Sequence, residues 1–131
     1  MSGKPSAEMH DALSLKGRTG LRRILDAGGY SLMGLQAAYR GEAAFRQLLL
    51  LNVLLLPLAC LVDVTRSERL LLMLVPLLSL IVELLNSAIE ATVDRISLRI
   101  HPLSKQAKDM GSAAQFIALL MIGLTWAMIL I

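Results

Sequence analysis

The hydrophobic residues of this chain are gathered into long stretches that are separated by short polar connections. A transmembrane helix needs about 20 mostly apolar residues. Three stretches contain no charged side chain: residues 47–62, 70–82 and 110–131. The third is long enough alone, whereas the first must extend towards its amino end and the second must continue past Glu83. The pattern therefore predicts three transmembrane helices, at about 43–62, 69–95 and 108–131.

The segment before the first span has a different pattern, with apolar or small residues recurring on one face of a helix. These residues are Leu21, Ile24, Leu25, Gly28, Leu32, Leu35 and Tyr39. Arg22, Arg23 and Arg40 fall elsewhere on the helix, which is typical of a helix that lies on a membrane surface. We therefore predict an amphipathic surface helix over about 18–40, at the start of a membrane domain that covers 16–131. Residues 1–15 lack the apolar core of a signal peptide and are expected to form a flexible cytoplasmic extension.

The distribution of lysine and arginine predicts how the spans are oriented. With three spans, eleven of the thirteen basic residues lie on one side of the membrane, and only Arg66 and Arg69 lie on the other. If the middle segment did not span, the division would be seven against six and the bias would disappear. Because basic residues favour the cytoplasmic side, the amino terminus is predicted to be cytoplasmic and the carboxyl terminus to lie outside.

Composition agrees with a membrane protein. The 131 residues are 56% hydrophobic and 18% charged, whereas soluble domains average about 45–50% and about 25%. A soluble domain of this length has too little interior to bury so much apolar surface. The net charge of +3 is explained by basic flanks of membrane spans, so no nucleic-acid partner is predicted. The fold class is an all-α membrane bundle.

Polar residues interrupt the second span in a regular way. At 100° per residue, five of them share one helical face: Glu83, Asn86, Ser87, Glu90 and Asp94. A charged side chain in the middle of a bilayer costs about 3 kcal/mol, so such residues are usually paired or functional. Two further charged groups begin the other spans at the same predicted membrane face: Glu42 with Arg46, and Lys108 with Asp109.

This group of residues suits phosphate chemistry. Carboxylates from different helices can bind Mg²⁺, which prefers oxygen ligands and often shares them with substrate phosphates, while a nearby lysine can neutralise phosphate charge. The chain contains neither the glycine-rich phosphate loop nor the dinucleotide fingerprint. Nucleotide chemistry would therefore use a site unlike those of soluble kinases. A structural role, in which the same residues form hydrogen bonds between helices of a trimer, is the alternative.

At these residues the chain resembles the prokaryotic diacylglycerol kinase family of small integral-membrane lipid kinases. The likeness rests on the strings ELLNSAIEATVDR (83–95) and AKDMGSAA (107–114), and extends upstream through AGGYS (27–31) and EAAFRQ (42–47). The resemblance implies a homotrimer of three-span subunits, with active sites shared between neighbouring protomers in the bacterial inner membrane. It also implies transfer of the γ-phosphate of ATP to diacylglycerol, giving phosphatidic acid for phospholipid recycling.

The resemblance also implies roles for individual residues. Glu83 would be the general base for the lipid primary hydroxyl, and Asn86 would orient it. Glu42 and Glu90 would hold Mg²⁺ with the ATP phosphates. The remaining positions match family residues that contact substrates: Arg23, Tyr30, Lys108 and Asp109 for the nucleotide, and Ser112, with Arg23 and Glu83, for the lipid.

The chain departs from the usual family pattern at Asp26 and at the pair Arg99 and Ile100. Two alternatives to a diacylglycerol kinase stay open at this point. One is an undecaprenol kinase, which shares much of the pattern, although the string at 107–114 is more similar to the diacylglycerol enzymes. The other is a membrane scaffold or a proton-conducting bundle that uses the same buried carboxylates without catalysis.

Overall fold

The protein is described here from a computed structural model, which describes residues 20–131. Residues 20–131 contain four helices: α1 (Leu21–Gly41), α2 (Ala43–Leu61), α3 (Arg66–Ile96) and α4 (Pro102–Leu130). Within residues 20–131 there is no β-strand, so the predicted all-α fold is confirmed. The predicted extension over residues 1–15 lies outside the described residues. The homotrimer stays a prediction.

The last three helices are long and apolar enough to cross a membrane. Two of them begin before the predicted spans, because capping residues rather than hydropathy decide where a helix starts. Thr65 and Glu68 form a reciprocal capping box at the start of α3. At α4, Pro102 occupies the first turn and the Nδ1 atom of His101 accepts a hydrogen bond from the amide of Leu103 at 3.1 Å. Pro57 and Pro76 both lie inside helices.

The described chain divides into two compact units after Ala37, inside α1. In the first unit the helix exposes its apolar residues, including Leu21, Ile24 and Leu32. The hydroxyl of Ser31 donates a hydrogen bond to the carbonyl of Ala27 one turn earlier. An exposed apolar face on a helix with arginines elsewhere is the arrangement expected of a helix at a membrane surface.

In the second unit, α3 packs against both α2 and α4. Five of the nine buried apolar residues within residues 20–131 form one cluster, here called the apolar cluster: Ala59, Leu72, Val75, Ile122 and Trp126. These residues come from the end of α2, the beginning of α3 and the end of α4. Arg69 lies at the same end, where its guanidinium donates to the carbonyls of Ala59 at 2.6 Å and of Val62 at 3.1 Å.

Most of the surface of these three helices is exposed in the single chain. Only 22% of the most apolar window of α2 and 17% of that of α4 are buried. Continuous apolar surfaces of this size are covered by lipid or by another protein, because their exposure to water is energetically unfavourable. The chain is accordingly a membrane protein whose single copy buries only a narrow seam between neighbouring helices.

Candidate active site

The five polar residues predicted to share one face of α3 lie on the same side of that helix, and the most deeply buried of the five is Glu83. Its side chain is only 3% exposed, although leucine and isoleucine residues surround it in the sequence. The Oε2 atom accepts a hydrogen bond at 3.2 Å from the Nε2 atom of Gln115 on α4. The Oε1 atom accepts from the hydroxyl of Ser87 at 3.5 Å, one turn further along α3.

Asn86 and Glu90, which lie on the same face of α3 as Glu83, form a second contact. The amide Nδ2 of Asn86 donates to the Oε1 atom of Glu90 at 3.5 Å. The other amide atom of Asn86, Oδ1, is buried and has no partner among residues 20–131. We refer to Glu83, Asn86, Ser87, Glu90 and Gln115 as the polar cluster.

Gly111 allows α4 to approach the polar cluster. A methyl group at this position would overlap the Oδ1 atom of Asn86 and would lie 3.1 Å from its Cγ atom. A larger residue at position 111 would therefore displace either the asparagine or the helix. By contrast, a methyl group added at Gly123, further along the same helix, meets nothing within 4 Å.

Glu42 belongs to the same neighbourhood, although it lies at the amino end of α2. It is half-buried and occupies the N-cap position of that helix, where its side chain makes no capping hydrogen bond. Glu42 and Glu90 both lie close enough to Glu83 for their side chains to interact with it electrostatically. Arg46, one turn after Glu42, donates to the carbonyl of Tyr39 at 2.7 Å and so secures the end of α1.

Two ion pairs lie where α3 ends and α4 begins. Lys108 contacts the Oδ1 atom of Asp94 at 2.8 Å and thereby joins α4 to α3. Asp109 pairs with Lys105 at 2.5 Å, one turn earlier in α4. All four side chains are substantially exposed, so solvent screening leaves each pair only a small contribution to stability.

A cavity of about 350 Å³ opens beside these ion pairs, around the connection between α3 and α4. Its lining includes most of the charged and titratable groups of this part of the chain: Asp94, Arg99, His101, Lys105, Lys108 and Asp109. A cavity with three basic side chains can hold an anionic group such as a phosphate. Because the lining also includes two acidic side chains, the cavity surface carries groups of both charges and is not purely basic.

No cluster of three or more carboxylate, histidine or cysteine side chains that could hold a metal occurs within residues 20–131. Mg²⁺ does not require one, because it is usually bound through one or two carboxylates together with substrate phosphates. Glu42 and Glu90 supply oxygen ligands of the type this ion prefers. The donor set therefore fits Mg²⁺, although it does not form a complete cage in one chain.

The other predicted site residues are exposed. Arg23 and Tyr30 belong to the first unit, and the ring of Tyr30 is 60% exposed. Ser112 lies next to Gly111 on α4 and is also exposed. The roles assigned to all of these positions stay predictions.

Two residues of this region were missed by sequence reasoning. Gln115 offered a signal, because it is a polar residue inside the otherwise apolar stretch 110–131 and such residues are usually functional. Gly111 lies within the string at 107–114, but that string gives no indication that Asn86 lies against the glycine. The contact of Gln115 with Glu83 and that of Gly111 with Asn86 both depend on which face of α4 is turned towards α3.

Comparison with known proteins agrees with the resemblance noted from the sequence. The model of the prokaryotic diacylglycerol kinase family matches residues 29–130. The diacylglycerol kinase of Pseudomonas aeruginosa is 72% identical over 116 residues, which cover 88% of this chain and 94% of that protein. The diacylglycerol kinase of Escherichia coli is 51% identical over 112 residues, covering 86% and 92%. That of Haemophilus influenzae is 45% identical over a similar length.

Proposed function

Because the chain belongs to the prokaryotic diacylglycerol kinase family, we propose that it transfers the γ-phosphate of ATP to the primary hydroxyl of diacylglycerol. The products are phosphatidic acid and ADP. The activity is supported by relatives that carry this name and match nearly the whole chain. The observation that carries the mechanism is a buried carboxylate, Glu83, held by hydrogen bonds inside a membrane helix.

Glu83 is the general base of this mechanism. The lipid hydroxyl gives its proton to the Glu83 carboxylate, and its oxygen forms a new bond to the γ-phosphorus of ATP. The bond between that phosphorus and the oxygen of the β-phosphate breaks, and ADP leaves with the electron pair. Phosphoryl transfer requires positioning and charge neutralisation rather than covalent catalysis by the protein, which suits a site made of carboxylates, amides and lysine.

Glu42 and Glu90 are the residues that hold Mg²⁺ in this proposal. When bound, the ion neutralises charge on the ATP phosphates. Asn86, which the resemblance implies as the residue that orients Glu83, donates its side-chain amide to Glu90. Gly111 leaves room for α4 to lie against Asn86. Contacts within α3 and between α3 and α4 thus hold these side chains in position.

Lys108 and Asp109 bind the nucleotide in this proposal. The family resemblance also implies nucleotide contacts for Arg23 and Tyr30 of the first unit. The cavity between α3 and α4 supports this assignment because it brings basic side chains to the surface next to Lys108. On the lipid side, Ser112 contacts diacylglycerol, and the resemblance implies a lipid contact for Arg23 as well. Ser112 is suited to this task because it is an exposed hydroxyl next to the glycine that adjoins Asn86.

The working enzyme in this proposal is a homotrimer in the bacterial inner membrane, with composite active sites. The large exposed apolar surface of α2 and α4 supports an assembly. The predicted orientation places the amino terminus and the active site on the cytoplasmic side, where ATP is available, and the carboxyl terminus on the outer side.

The decisive experiment gives the purified full-length protein Mg-ATP and one of two lipids, diacylglycerol or undecaprenol. We expect rapid phosphorylation of diacylglycerol. Preferential phosphorylation of undecaprenol would contradict the proposed substrate. Phosphorylation of neither lipid, by protein that remains folded in lipid vesicles, would instead favour a scaffold or a proton-conducting bundle.

The metal site has its own test. Replacing Glu90 by glutamine keeps the size of the side chain and its contact with Asn86, but removes a charged ligand. We expect the Mg²⁺ concentration for half-maximal activity to rise about tenfold, because a neutral amide oxygen is a weaker ligand than a carboxylate. An unchanged metal dependence in Glu90→Gln would remove this residue from the metal site.

A further inference from the structure

Gln115 connects Glu83 to a second helix. Ser87, the other hydrogen-bond partner of Glu83, lies on α3 itself and moves together with it. Gln115 lies on α4, 32 positions further along the chain, and its Nε2 atom is 3.2 Å from the Oε2 atom of Glu83. The contact therefore fixes the carboxylate relative to the helix that carries Gly111, Ser112 and the nucleotide residues.

Stability alone does not favour a glutamine at this position. Its Oε1 atom is buried and has no hydrogen-bond partner within residues 20–131. Leaving a buried carbonyl oxygen without a partner is unfavourable. A methionine or leucine would occupy the same space without that loss. The hydrogen bond to Glu83 is the interaction that only the glutamine provides.

The orientation of the amide follows from the chemistry of its partner. An ionised carboxylate has only acceptor atoms, whereas the amide of glutamine has a donor side and an acceptor side. The NH₂ group must therefore face Glu83, and the oxygen must face away from it. One carboxylate oxygen is then held by Gln115 and the other by Ser87, so the Glu83 side chain has little freedom to rotate.

We infer that Gln115 is a positioning residue, which holds the Glu83 carboxylate in the orientation that takes the proton from the acceptor hydroxyl. This inference rests on the proposed role of Glu83 as the base. Gln115 acts through Glu83 and need not touch either substrate. Its loss should therefore slow turnover without weakening the binding of ATP or diacylglycerol.

The test replaces Gln115 by methionine, which has the same length but cannot donate a hydrogen bond. Gln106→Met is the matched control, because Gln106 is an exposed glutamine on the same helix. We expect kcat of Gln115→Met to fall about tenfold, in keeping with the loss of a hydrogen bond to a charged group, while both KM values stay within about twofold. The control should keep the kcat of the unmodified protein.

A second variant guards against a purely structural effect. Gln115→Glu keeps the shape but presents an acceptor of the same charge to Glu83, so its kcat should fall at least as far as that of Gln115→Met. Melting temperatures in detergent micelles are measured for both variants. A kcat of Gln115→Met within twofold of the unmodified protein would overturn the inference. So would a fall in kcat that is matched by weaker substrate binding and a lower melting temperature.

Glu83→Gln is assayed in parallel to separate the two hypotheses. If this variant keeps its turnover, the proposed base is wrong and the inference fails with it. If Glu83→Gln is inactive while Gln115→Met turns over normally, Glu83 remains the base and only the positioning role of Gln115 is rejected.

Discussion

The apolar cluster and the polar cluster are built in the same unit of the molecule, but they hold the helices together in different ways. The apolar cluster is a set of aliphatic and aromatic side chains from α2, α3 and α4. The polar cluster contains carboxylates and amides from α3 and α4. Two of the four buried side-chain atoms without a partner within residues 20–131 belong to it, and one, Nε1 of Trp126, belongs to the apolar cluster. One region is arranged for packing, and the other retains polar groups at a cost in stability.

This difference indicates how a small membrane protein can keep reactive groups inside a helix. Sites that need unusual groups are commonly less stable than the rest of a fold. Here α3 runs through both clusters, and Leu72 and Glu83 are separated by about 16 Å along its axis. Apolar packing near the start of α3 can therefore offset the free-energy cost of the carboxylates further along the same helix. Substitutions should separate the two regions, since one set should lower turnover and the other should lower stability.

The largest effect is expected at Glu83. Removing a general base costs about 10²–10⁴ in rate, so Glu83→Gln should lower kcat by that factor while the protein still inserts and melts normally. The matched control is Glu68→Gln at the other end of α3, because glutamine preserves the capping box with Thr65. Near-normal kcat in purified Glu83→Gln would show that the polar cluster does not contain the base.

Leu72 tests the apolar cluster. It is fully buried, and Leu72→Ala should lower the free energy of unfolding by about 2–3 kcal/mol, mostly because a cavity remains. Leu71→Ala is the control, since Leu71 is half exposed. Thermal melting in detergent micelles measures the effect, and kcat below the melting transition should stay unchanged. An equal loss of stability in both variants would contradict the packing described for Leu72.

Gly111 tests whether the two helices must approach closely at the polar cluster. In Gly111→Ala the new methyl group meets the Asn86 side chain, so overpacking should cost about 1–2 kcal/mol of stability and also lower kcat. In Gly123→Ala the methyl group enters open space, and stability should be equal or slightly higher. Identical kcat and melting temperatures for the two variants would argue against the close approach at Gly111.

Arg69 tests the connection that supports the apolar cluster. Its guanidinium donates to three carbonyls at the end of α2 and in the following segment. Arg69→Met should lower stability by about 1 kcal/mol and leave kcat unchanged, whereas Arg66→Met, at an exposed arginine, should change neither quantity. A selective loss of kcat in Arg69→Met would contradict the separation of the two regions.

Much of the fold follows from local patterns in the sequence. The lengths of the apolar stretches require three long helices, and the spacing of Glu83, Asn86 and Glu90 places them on one face without any tertiary contact. The bias of basic residues predicts the orientation in the membrane. Helix ends were less predictable, since hydropathy marks the bilayer while residues such as Thr65 and His101 mark the first turns.

The contacts between helices could not be predicted in this way. In a soluble helix the apolar face identifies the side that packs, but a membrane helix is apolar towards both lipid and protein. The sequence of the stretch 110–131 therefore gives little indication of which face of α4 packs against α3. The choice of that face brings Gln115 to Glu83 and Gly111 to Asn86, and it decides that Lys108 pairs with Asp94.

The sequence by itself determined that this protein is a bundle of membrane helices with an acidic face on the second span. These properties depend on hydrophobic length and helical period, which are local. The tertiary structure decided which atoms meet that acidic face, namely the amide of Gln115 and the backbone at Gly111. Only the packing of α4 against α3 could decide this, because both faces of α4 satisfy the bilayer equally well.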